Sequence, residues 1–172
     1  MADAVRPKVF ICYHHADQKE ADAFAEDFAD VFIARMLGVS DSDDFIDSTD
    51  ADYVIKRIRE KYLTDSTVTI VLIGACTWAR RYVDWEIAST LRNDPVNKRS
   101  GLLAINLASL GKTGTLPDRL KDNLDGENGY ARWWVYPTGS SQLRNWIEIA
   151  LDARDTKTPD NSRNLRERSA TC

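Results

Sequence analysis

The chain has 172 residues, enough for one domain with a full core and too few for two. Its 43% apolar and 29% charged residues are the proportions of an ordinary globular protein, and a formal charge of −4 offers no basic field to nucleic acid or an anionic membrane. No run of about 18 apolar residues occurs and the start, MADAVRPKVF, lacks the apolar stretch of a secretion signal, so the expected compartment is the cytoplasm.

The three cysteines, Cys12, Cys76 and Cys172, are odd in number and none is spaced as C-x-x-C, which argues against a disulfide framework or a zinc site. Cys12 and Cys76 are expected to act as small buried hydrophobes.

In chain order, Lys8 to Tyr13 (KVFICY) reads as a first strand. Asp17 then caps a helix over about Gln18 to Leu37, with Phe24, Phe28, Val31 and Phe32 at helical spacing and Gly38 as its stop. The acidic stretch from Val39 to Asp47 holds a short edge strand or none. Thr49 and Asp52 resemble a capping box, opening a helix that ends near Thr64.

An uninterrupted apolar run from Thr67 to Gly74 suits a parallel strand buried on both faces. A helix over about Arg81 to Arg92 follows, packing through Val83, Ile87 and Leu91. Strands at Gly101 to Leu107 and Trp133 to Tyr136 and a helix from about Ser140 to Arg154 complete the pattern. The connection from Ala108 to Tyr130 reads as an irregular loop with at most one helical turn, near Asp118 to Asn123. Residues 155–172 are polar and nearly free of core residues, so by composition they form a mobile tail behind a domain of residues 1–154.

Alternating strands and helices predict an α/β fold with a mostly parallel sheet covered on both faces. Ligands of such sheets gather beyond the carboxyl ends of the strands at the topological switch point, and for the order 2-1-3-4-5 that point lies between the first and third strands. Tyr13 and His14 leave one of these strands and the segment from Ala75 to Glu86 leaves the other. Tyr82 and Glu86, four apart, share a helical face.

The segment KVFICYHHAD resembles the first strand and following loop of TIR-like domains of the bacterial Thoeris antiphage-defence type, and TIVLIGACTWARRYVDWEI resembles their signature VLIG-x-x-T-x-x-R-x-[WY]-V-x-x-E-I. The likeness spans about residues 8 to 107. It implies a flavodoxin-like, five-stranded fold and, as in many bacterial members, cleavage of NAD at its nicotinamide-ribose bond to give a cyclic ADP-ribose isomer or related signal. NAD would be a substrate, with no further cofactor. Self-association and a separate effector that responds to the product are also implied.

In this reading Glu86 is the catalytic carboxylate. Because nicotinamide departs as a neutral molecule from a cationic pyridinium, one carboxylate suffices and no second acid is needed to protonate a leaving oxygen. Tyr13, Trp78 and Tyr82 would supply an aromatic wall, while His14 and Thr77 would line the pocket. Asp47 and Ser48 correspond to a segment that in TIR domains approaches the nucleotide or a neighbouring subunit, and helix capping by Ser48 or Thr49 explains the same residues equally well. No spacing of ligands supports a metal. Two other functions fit the same residues: a non-catalytic adaptor working through protein contacts, and an enzyme like the nucleoside deoxyribosyltransferases, in which Glu86 attacks the sugar directly.

Overall fold

A computed structural model describes residues 5–95, 97–111 and 114–172. The readings made above of the first four residues, and of residues 112 and 113 in the long connection, lie outside these. Five parallel strands, β1 (Lys8–Cys12), β2 (Ile33–Arg35), β3 (Val68–Ile73), β4 (Gly101–Asn106) and β5 (Arg132–Trp134), form one sheet in the order β2-β1-β3-β4-β5. This is the flavodoxin-like α/β architecture, with its switch point between β1 and β3.

Side chains alternate along each strand, so the sheet carries two cores. Phe10, Cys12, Val71, Ile73, Leu102 and Ala104 face α2 (Ala51–Ile58), α3 (Arg81–Leu91) and α4 (Asp118–Lys121). Val9, Ile11, Ile70, Leu72, Leu103 and Ile105 face α1 (Gln18–Asp27) and α5 (Ser140–Thr156). Among the described residues no helix is long and apolar enough to cross a membrane.

The first helix is shorter than its apolar spacing predicts. It stops at Asp27, and Ile33–Arg35 instead pair with Lys8, Val9 and Phe10 as edge strand β2. Val31, Phe32 and Ile33 satisfy either period, and pairing with β1 selects the strand. No edge strand forms between Val39 and Asp47, and the cap of α2 is Asp50, whose carboxylate accepts from the Tyr53 N–H.

The tail corrects two expectations. Residues 160–172 are a strap laid along α3 and not a free end. Arg119 donates to Asp84 at 2.8 and 3.2 Å and to the Asn164 carbonyl at 3.0 Å, and Trp85 donates to the Arg166 carbonyl. Further along, the Ala170 N–H donates to the Ala79 carbonyl, and Cys172 is disulfide-bonded to Cys76. Counting spacings missed this bond because its halves are 96 residues apart and share no local motif.

Asp84→Ala would leave the Arg119 guanidinium, 1% exposed, without its counter-ion. A loss of about 3–5 kcal/mol is expected, seen as a Tm lower by roughly 10 °C. Closing a loop of this length contributes up to about 4–5 kcal/mol through the entropy of the unfolded chain, so a small dithiol should lower the Tm of wild type and leave that of Cys172→Ser unchanged.

Candidate functional site

β1 and β3 run side by side, and the chains leaving their carboxyl ends part to opposite faces of the sheet. Between them lies a cleft of about 330 Å3, walled by Tyr13 and His14 after β1, residues 36–40 after β2, Arg80, Tyr82 and Glu86 at the start of α3, and Ser169 of the strap.

Glu86 forms the floor of this cleft and is 4% exposed. Its Oε1 accepts from the Val39 N–H at 2.9 Å, and the buried Cys12 thiol neighbours the same carboxyl group. Gly38 permits this approach, since a Cβ there would stand 2.4 Å from Oε1. Burial pushes the Glu86 carboxyl up from its ordinary 4.5 to about 7, against the opposing effects of Cys12 and Val39, with a small further push from Asp43. Cys12 is itself driven well up, first by burial and then by the neighbouring Glu86. A carboxyl group of this kind changes charge near neutral pH.

The Tyr13 hydroxyl donates to Gln18 Oε1 at 2.6 Å. Burial, then the nearby Arg80 charge, lowers the pKa of His14 and favours its neutral form. Tyr82 donates to Asp41, and the Arg81 guanidinium lies 4.9 Å from its ring centre.

Of the residues singled out in the sequence, Tyr13, His14, Tyr82 and Glu86 therefore meet in one cleft. Thr77 does not line it: its buried hydroxyl accepts the Gly74 N–H at 2.8 Å and braces the turn after β3. Trp78 lines a separate cleft with Asp84, Pro117 and Arg166. Asp47 and Ser48 border a larger groove of about 760 Å3 beside Arg81, Trp85, Ala88 and Arg92, a stripe of α3 roughly a third of a turn from the face of Tyr82 and Glu86. Ser48 Oγ there accepts from the Asp50 N–H, a turn contact ahead of α2, whose cap is Asp50 and neither Ser48 nor Thr49. No group of three or more His, Cys, Asp or Glu among the described residues is arranged to hold a metal ion.

Sequence reasoning missed Gly38, Cys12, Arg80 and Ser169 as parts of this site. Arg80 stood inside the signature, so a signal for it existed. Gly38 was read as a helix stop, and nothing local announces Ser169.

The model of the family described as Thoeris protein ThsB, TIR-like domain, matches residues 10–112. This chain belongs to that family. The match begins within β1, takes in β2 to β4 with α1 to α3, hence Glu86 and the Val39 backbone that covers it, and ends before α4, β5, α5 and the strap. No curated protein matches the chain. Membership sets this TIR-like domain in an antiphage-defence system.

In the folded TIR-like domain Glu86 keeps its proton up to about pH 7, whereas in the unfolded chain it ionises near 4.5. Its contribution to stability is full below 4.5 and is lost as pH rises through about 7, a change of about 3 kcal/mol. Denaturant titrations at pH 4 and pH 8 should show wild type losing about that much relative to Glu86→Gln, which has no proton to lose.

Proposed function

We propose that this TIR-like domain cleaves NAD at the bond between nicotinamide and ribose, as its part in antiphage defence. The observation that carries the reading is a single buried carboxyl, held at the switch point of the sheet in a cleft it shares with Tyr13 and Tyr82.

The C1′–N bond breaks with both electrons going to the ring nitrogen, which turns cationic pyridinium into neutral nicotinamide. Positive charge is left on the sugar. Ionised Glu86 stabilises that charge from a preorganised, nearly dry position, where a fixed anion acts far more strongly than in water. Water or a nitrogen of the adenine ring then bonds to C1′; water loses a proton in doing so and gives ADP-ribose, while adenine attack closes a cyclic isomer.

Tyr13 and Tyr82 offer flat apolar surface to the bases and limit entry of water. Neutral His14 adds no positive charge beside the developing cation.

Nicotinamide release by concentrated protein, followed by mass spectrometry between pH 5.5 and 8.5, tests the reading. The rate should rise with pH through a limb near 7, because only the ionised carboxylate helps, and Glu86→Gln should lower it by about 10²–10³. Turnover by Glu86→Gln equal to that of wild type would exclude Glu86 from the chemistry.

A further inference from the structure

Arg80 is the one Arg or Lys among the described residues lining the Glu86 cleft. It caps the N-terminus of α3 with extended backbone (φ −92°, ψ 125°), so its side chain leaves the chain ahead of the first helical turn. Three other arginines around α3 have carboxylate partners, Arg81 with Asp41, Arg92 with Asp52 and Arg119 with Asp84, while Arg166 donates to the Arg168 and Trp78 carbonyls outside this cleft. Arg80 has none among the described residues. Its Nη2 donates to the Ala170 carbonyl at 2.8 Å, and its Nε–H is buried without an acceptor. A guanidinium has five N–H donors in one plane, so this cation keeps donors unspent.

Arg80 and Glu86 are six positions apart, about 9 Å of helix rise, and the two form no ion pair with each other. The cleft thus has a positive group at its rim and an ionisable carboxyl on its floor. A ligand that fits both has an anionic part and a part that turns cationic, as NAD does with its pyrophosphate and its nicotinamide ribose.

We infer that Arg80 is the anion-binding side chain of the Glu86 cleft, receiving a phosphate oxygen of the dinucleotide while the ribose lies against Glu86. The planar fork of an arginine matches phosphate geometry. The strap positions it: Ala170 accepts from the guanidinium and donates to Ala79, Ser169 Oγ accepts from the Arg81 N–H, and the Cys76–Cys172 bond fixes the end beyond them.

The inference rests on the NAD reading for its ligand, and binding without turnover tests it separately. Titration calorimetry on Glu86→Gln protein, with ADP-ribose, inorganic pyrophosphate and nicotinamide riboside as probes, should show that adding Arg80→Gln weakens the first two by about tenfold to a hundredfold. Nicotinamide riboside, which has no phosphate, should change by less than about twofold, and Arg80→Lys should recover part of the loss.

Equal weakening of all three probes would make Arg80 structural, and no weakening of ADP-ribose would overturn the inference. Should Arg80→Gln fail to fold, the 15N NMR signal of the Arg80 Nε–H in unaltered protein decides: it moves on adding pyrophosphate, or the inference is wrong. Arg80-dependent binding of ADP-ribose with no NAD cleavage by wild type would keep the anion site and defeat the enzymatic reading, whereas cleavage with Arg80-independent binding would do the reverse.

Discussion

Helix α3 has no face in water. From Val83 to Leu91 every residue is buried, between the sheet, α2 and the strap. A helix in that position loses solvation for each polar side chain it bears, and each must find a replacement inside the protein. Ser89 donates to the Trp85 carbonyl, and Thr90 donates to the Glu86 carbonyl and meets the Thr69 hydroxyl. Asp84 is answered in full, by the Arg119 fork and the Arg166 N–H. Glu86 is the exception, with one backbone N–H, a neighbouring thiol and, among the described residues, no cation paired with it.

The contrast between two acids two residues apart separates structure from chemistry on one helix. Asp84 has its charge neutralised by a guanidinium that also holds the strap, so it serves the fold. Glu86 is left with its ionisation undecided at neutral pH, a state that costs stability and is the usual condition of a group that works on a ligand. The backbone of Gly38 and Val39 both imposes that cost and offsets part of it: it lies close enough to exclude water, the Val39 N–H donates to the carboxyl, and a larger residue at position 38 would prevent the approach.

How much of this was legible in the sequence follows from the range of each signal. The buried strands β3 and β4 and the helix bearing Glu86 were readable because continuous apolar runs and helical spacing are local. Sheet order came with the resemblance to the TIR-like fold, and with it the meeting of Tyr13, His14, Tyr82 and Glu86. β2 was hidden because Val31 to Ile33 suit a helix as well as a strand, and only pairing with Lys8 to Phe10 selects the strand. The strap was invisible for a related reason. Its polar residues meet polar partners, so low hydrophobicity, the mark of a disordered segment, here marks a bound one.

The disulfide has one more effect, which concerns connectivity. By joining Cys76 to Cys172 it closes a covalent ring that contains α3, β4, α4, β5 and α5, leaving β1, β2 and β3 with α1 and α2 outside it. A protease that severs any single peptide link within that ring opens it without freeing a fragment. The half of the fold that includes the strap therefore survives one such cut as a single molecule, for as long as its two sulfurs stay joined.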